Sequence, residues 1–143
     1  MLPPGLTVHS SVTDADWRQM RDLLALVGMG HYAPELHQRA FENSFAVVFL
    51  REATRLVAMG RAISDGAYQA GLYDIAVHPH FQGRGLGRFV LRSLLSQLEG
   101  MNVILYASPG VEPFYEKEGF RGMRTGMIRS LSPEKMYARG FID

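Results

Sequence analysis

An α/β fold built on a mixed sheet is what this sequence predicts, on three observations. Two compact apolar runs, Phe45 to Leu50 and Leu56 to Ser64, flank the polar stretch Arg51 to Arg55 and read as an antiparallel hairpin. A third apolar run, Leu72 to Val77, is followed by a long amphipathic helix and another short strand. A strand–helix–strand passage of that kind implies a right-handed parallel crossover.

The elements follow in order. Thr13 and Asp16 have the form of a capping box, and Trp17, Met20, Leu24 and Val27 recur at helical spacing, so a helix is expected from about Asp14 to Val27. Gly28 and Gly30 stop it. Pro34 can open a shorter helix to about Asn43. The hairpin strands come next, and Asp65-Gly66 turns the chain into the strand Leu72 to Val77, which Pro79 ends. Gly87, Val90, Leu91, Leu94, Leu95 and Leu98 form one apolar stripe on a helix closed by Gly100. Val103 to Tyr106 reads as a strand, Pro109 to Glu118 as a short helix ended by Gly119, and Gly126 to Leu131 as a last strand. Neither repeats nor linker-like tracts interrupt the chain, so a single domain over 1–143 is expected.

Composition narrows the function. Fifteen basic and 14 acidic side chains leave a formal net charge of +1, which gives no push toward nucleic acid or a membrane surface. There is no cysteine, hence no disulfide framework, thiolate metal site or cysteine nucleophile. Met1 to Ser10 lacks a basic region followed by an apolar stretch, so no signal peptide is expected and the cytoplasm is the expected location. His31, His37, His78 and His80 give no metal-ligand spacing, and no metal is expected. His78 and His80 read as solvated, and Tyr32, Phe41 and Tyr68, candidates for an acceptor pocket, read first as core.

The chemistry concentrates in Asp74 to Gly87, DIAVHPHFQGRGLG. A strand ends at Pro79, and Gln82-Gly83-Arg84-Gly85-Leu86-Gly87 enters the long helix. Glycine lets a ligand approach backbone N–H groups, and the first N–H groups of a helix lack internal acceptors and carry the positive end of the macrodipole. Such a corner suits a pyrophosphate, with Arg84 and Arg88 adding positive charge or simply facing solvent. The glycines at 83, 85 and 87 fit neither GxxxxGK[ST] nor GxGxxG.

The phrase as a whole resembles motif A of the Gcn5-related N-acetyltransferases, with Gln82, Gly85 and Gly87 in its fixed positions. Phe114-Tyr115 and then Gly119-Phe120 resemble the family's next signature. The resemblance implies a mixed, mostly antiparallel sheet flanked by helices, with a parallel, splayed strand pair around 72–77 and 103–106. It implies acetyl-CoA as cosubstrate, with pantetheine along Ile75, Ala76 and Val77. The pyrophosphate would lie on Gln82, Gly83, Arg84, Gly85, Leu86, Gly87 and Arg88, with Ser108 and Phe114 beside the ligand. The partner would be an amine, as a small molecule or a peptide. Tyr115 matches the family's usual acid, since a phenol holds its proton at neutral pH; the alternative is an aromatic anchor.

Asp74 is open between a base or amine anchor and a carboxylate paired with an arginine or with loop amides. Strand alternation puts it on one face with Leu72 and Ala76. The stretch from Gly60 to Gly87 is similar to the plastid serotonin N-acetyltransferase branch, where an aspartate matches Asp74. A second aspartate of that branch falls at Ser108, a departure that keeps open a non-catalytic acyl-CoA-binding module. A different nucleotide or phosphate binder is the third reading. The 126–131 strand leaves a homodimer open.

Overall fold

The computed structural model describes residues 2–143, and the chain forms two compact units, Met1–Leu105 and Tyr106–Asp143. In the first, five strands lie in the order β1 (Leu6–His9), β2 (Ala46–Glu52), β3 (Arg55–Ser64), β4 (Gln69–Val77) and β5 (Asn102–Ile104). The first three pairings are antiparallel and the β4–β5 pairing is parallel. The expected mixed, mostly antiparallel sheet is therefore present. β1 is a strand that sequence reading missed: four residues with only partial burial give too short a pattern to register.

Helix α1 (Trp17–Leu26) starts later than expected. Asp14 has a left-handed φ of 58°, which no helix interior tolerates, and the cap is Asp16 rather than Thr13. Its Oδ1 accepts the Arg18 and Gln19 N–H groups at 3.1 and 3.2 Å, and hydrogen bonds from Gln19 hold its pKa below the ordinary aspartate value. Helix α2 (Pro34–Glu42) begins at the expected proline. α1 and α2 cover one sheet face, where Met20, Leu23, Leu24 and Phe41 meet Val47, Phe49, Met59 and Ala76.

Helix α3 (Leu86–Ser96) covers the other face with Leu86, Val90, Leu91 and Leu94, all essentially inaccessible. Covering on both faces explains why Ala46 to Leu50 is one continuous buried run instead of an alternating one. α3 comes close because β3 presents Ala58, Gly60 and Ala62 together, each on the same side by strand alternation. A Cβ at Gly60 would lie 2.9 Å from Val90, 3.0 Å from Ile75 and 3.0 Å from Leu94.

Turn chemistry sets the register. Asp65 Oδ1 accepts the N–H groups of Ala67, Tyr68 and Gln69, which hold its pKa below the usual aspartate value. Arg61 then pairs with Tyr73, but Met59 pairs with Ala76, so Asp74 and Ile75 together face Gly60. This is a β-bulge, with Asp74 at a left-handed φ of 57°. It corrects the alternation argument: Leu72 pairs with Ala62 on the α3 face, while Asp74 reaches Arg61 on the α1/α2 face.

The β4–β5 ladder holds three pairs, ending at Gly71–Ile104, whereas β4 runs on to Val77. The strands thus part as expected, although β5 is 102–104 rather than 103–106. In the second unit, α4 (Glu112–Glu116) is shorter than the expected 109–118, and α5 (Pro133–Ala138) follows. Residues 126–131 form no strand, and Met127 and Leu131 are fully exposed. With the strand goes the basis for pairing two copies through it.

Gly60→Ala should lower the unfolding free energy by about 1–3 kcal/mol, because the three branched side chains facing the new methyl are packed and cannot all yield. Urea denaturation measures it.

Candidate active site

The bulge places a carboxylate where a regular strand would not. Arg61 Nε donates to Asp74 Oδ2 at 2.7 Å, with the two side chains 14% and 20% exposed. Arg61 Nη1 lies 3.4 Å from Ser44 Oγ, as donor. The guanidinium carbon sits 5.5 Å from the Phe41 ring centroid and 5.3 Å from that of Tyr73. Arg61 is therefore fixed by two aromatic rings and a hydroxyl while it holds Asp74. Of the two roles open for Asp74, the arginine-paired carboxylate is the one the geometry shows. Sequence reading missed Arg61, although a charged residue inside the apolar run Leu56 to Ile63 was a usable signal.

At the end of β4 the chain makes a 3₁₀ turn over Pro79–Phe81. His78 N–H donates to Val57 O at 2.8 Å, and Gln82 Nε2 donates back to Val77 O at 3.1 Å, closing the loop onto the strand. The Gln82 side chain thus serves loop closure. His78 Nδ1 accepts the His80 N–H at 3.2 Å, and its Nε2 is 3.2 Å from Arg55 Nη2; burial, then the Arg55 charge, lowers its pKa. His78 is therefore partly buried and bonded rather than solvated, while His80 is exposed. Arg55 and Arg84 each lie over the Phe81 ring, at 5.4 and 5.2 Å. Phe81 is buried, so it anchors two guanidinium groups beside the loop.

Gly83 and Gly85 have φ of 78° and 79°, values that only glycine adopts readily. A Cβ on either would meet no protein atom within 4 Å, so the space beside these amides is open. Gly85 is the N-cap of α3 and no side chain caps the helix. Leu86 and Gly87 supply N–H groups without an intrahelical acceptor at the positive end of the dipole. An open, glycine-lined and uncapped helix start fits a diphosphate. An open groove of about 340 Å³ runs on from Gly85 along Arg88, Phe89, Arg92, Ser93 and Ser96.

In the second unit, Phe114 and Tyr115 stand on α4. The Tyr115 ring meets Phe114 at 5.0 Å and Phe120 at 5.8 Å, both edge to face, and the Phe120 N–H donates to Tyr115 O at 3.1 Å. Burial raises the phenol pKa above its ordinary value. Ser108 precedes α4, its carbonyl accepting the Val111 N–H at 2.9 Å. Phe41 is core as expected, but Tyr32 and Tyr68 are 59% and 64% exposed. Among the described residues, no group of three or more His, Asp or Glu side chains could hold a metal, and no helix is long and apolar enough to cross a membrane.

Comparison with known proteins decides the family. The acetyltransferase (GNAT) domain matches residues 28–129. The chain belongs to the GNAT acetyltransferase family. It is 39% identical over 136 residues to serotonin N-acetyltransferase 2, chloroplastic, of Oryza sativa subsp. japonica, an alignment covering 90% of this chain and 67% of that one. It is 45% identical over 71 residues to the uncharacterized N-acetyltransferase ycf52 of Porphyra purpurea, covering 48% of this chain and 41% of that one. Across these two relatives the matched portion is thus between 41% and 67% of their own length. A protein of unknown function from meticillin-resistant Staphylococcus aureus superposes with a TM-score of 0.78 at 25% identity, covering 87% of this chain and 98% of that one. In this GNAT chain the loop from Gln82 follows the 3₁₀ turn after β4 and leads into α3, all within the matched residues.

Replacing Arg61 by methionine should cost about 2 kcal/mol of stability, since it strands a largely shielded carboxylate. Adding Asp74→Leu to that variant should restore about half of the loss in urea unfolding at pH 7. Purely additive losses would mean that the two side chains do not act as a pair.

Proposed function

We propose that this GNAT chain transfers the acetyl group of acetyl-CoA to a primary amine by direct attack, with both compact units belonging to one transferase domain. The carrying observation is the uncapped start of α3 behind two left-handed glycines, at the end of a strand that has parted from its neighbour. The family match spans residues of both units, which supports treating them as one domain. A cytoplasmic setting is part of the same reading.

The residues divide the work by charge. N–H groups from Gln82 to Arg88, with Arg84 held on Phe81, bind the diphosphate. The β4 edge at Ile75, Ala76 and Val77 pairs with the pantetheine arm. Ser108 and Phe114, in the second unit, are the further residues that the family resemblance assigns to the cosubstrate. When bound, the cosubstrate supplies an activated thioester, so the protein need only orient the reactants and move protons. Asp74, its carboxylate held in place by Arg61, binds the amine in its ammonium form. One proton passes to water to free the lone pair for attack. Tyr115 gives its proton to the departing thiolate, a role its raised pKa supports because the phenol stays protonated across the working range. The proton that the nitrogen sheds as the amide forms also leaves to water, which reprotonates the Tyr115 phenolate.

The acceptor is an arylalkylamine, a polyamine or a peptide amine; likeness to the rice serotonin N-acetyltransferase favours the first. A second reading, a non-catalytic acyl-CoA-binding module, draws on Ser108 standing where the plastid branch has an aspartate, and on Asp74 already being engaged by Arg61.

Incubating purified protein with acetyl-CoA and a panel of these amines should release free CoA thiol. Tight CoA binding without turnover on any of them would select the second reading. Tyr115→Phe should lower kcat by about 10²-fold with the acetyl-CoA Kd unchanged. Because burial raises this phenol above 10.0, its ionisation should leave kcat level from about pH 7 to about pH 9. Gly85→Val should weaken CoA about tenfold in calorimetry, since valine strains the αL cap and fills the open space.

A further inference from the structure

His37 on α2 is the only buried polar or charged residue among the described residues, at 4% exposure, and the transfer chemistry gives it no task. Its Nε2 accepts the backbone N–H of Tyr32 at 2.9 Å, and the two rings lie 5.7 Å apart. An accepting Nε2 carries no proton, so the ring is neutral with its hydrogen on Nδ1. Tyr32 belongs to the irregular connection between α1 and α2, residues 27–33. Its first half is tied to α1, where Leu24 O accepts the Met29 N–H at 2.9 Å. Its second half is tied to α2 through His37.

His37 also neighbours the ion pair. It stands one helical turn before Phe41, and the Phe41 ring carries the Arg61 guanidinium. Four charged or titratable groups act on its ring: Asp74 of β4, Arg61 of β3, His31 of the connection and Arg21 of α1. Asp74 favours protonation, but burial outweighs it, and the other three groups add to burial; the pKa falls below the ordinary 6.5.

We propose that His37 is a positioning residue for the acceptor amine: its neutral ring holds the exposed Tyr32 ring and its connection on the Arg61–Asp74 side of the sheet as one wall of the amine site. This rests on the acetyltransferase reading. The exposed tyrosine face and the nearby carboxylate are complementary to a cation carrying an apolar body. Protonation turns Nε2 into a donor facing another donor, and the wall lets go. The sign follows from the lowered pKa. The hold is complete above the unfolded histidine value of about 6.5 and fades as pH falls through the lower folded value.

The test combines NMR with kinetics. In ¹⁵N-labelled protein without substrate, the Tyr32 amide should shift along the same titration curve as the His37 imidazole. The KM for the amine should rise about tenfold relative to the Gln variant as pH falls from about 7.5 through the His37 titration seen by NMR, with the KM for acetyl-CoA level. His37→Gln offers a non-titrating acceptor at the Nε2 position and should abolish both the amide shift and the excess rise in KM. His37→Phe keeps the bulk and should hold the amine KM about tenfold above that of the Gln variant at every pH, so that wild type approaches it only once His37 is protonated. A Tyr32 amide indifferent to His37 titration, or the same KM profile in wild type and His37→Gln, overturns the proposal and leaves the transferase reading standing. A protein whose Tyr32 amide follows His37 but which acetylates no amine loses the transferase reading, and the acceptor role of His37 falls with it.

Discussion

One extra residue in β4 governs the chemistry-bearing part of this chain. Without the bulge opposite Gly60, Asp74 would join Leu72 on the face packed by α3, where a carboxylate has no partner and its burial is costly. With it, the carboxylate reaches Arg61, and Leu72 and Ala76, which plain alternation would put on one face, pack on opposite faces of the sheet. The local cost is a left-handed aspartate, of the order of 1 kcal/mol, offset by a charge-assisted hydrogen bond of 2.7 Å in a largely shielded site. The same irregularity lies three residues beyond the last β4–β5 pair at Gly71, so strand parting and the re-aimed side chain fall close together on β4.

Arginine suits this position in a way that lysine does not. Its guanidinium lies over the Phe41 and Tyr73 rings while its N–H groups reach Asp74 and Ser44. An ammonium on a flexible stem has no planar fork to do both. The pair also links three elements: Phe41 comes from α2, Arg61 from β3, and Tyr73 and Asp74 from β4. The bulge of β4 is thereby tied to the α1/α2 face of the core through one side chain.

Legibility in the sequence followed the length and regularity of each signal. The long stripe from Gly87 to Leu98 and the glycine phrase before it located α3 and its uncapped start, because both patterns are local and periodic. The hairpin was readable from two apolar runs and a polar break. The bulge was not, because it is a mismatch between two strands and neither strand alone contains it. Arg61 went unread for the same reason, its meaning being the residue it pairs with across the sheet. β1 has too few residues to show a period. The 126–131 stretch failed in the opposite sense: apolar content suggested a strand, but with no partner strand to complete a ladder, the pattern alone forms none.

The two ends of the candidate site depend on packing in different ways. The proposed phosphate end is built from backbone. Ala58, Gly60 and Ala62 let α3 seat closely on the sheet, and this seating fixes where its first N–H groups emerge. Backbone amides cannot be retuned by a side-chain swap, which suits a cosubstrate that stays the same from one transferase to another. The proposed acceptor end is built from side chains on separate elements, with Asp74 on a bulge, Arg61 on a strand and Tyr32 on an irregular connection. Each can change without moving α3. A fold divided in this manner can keep its grip on the acyl carrier while the amine it serves is altered, and the physical boundary between the two halves is the plane of β3 and β4.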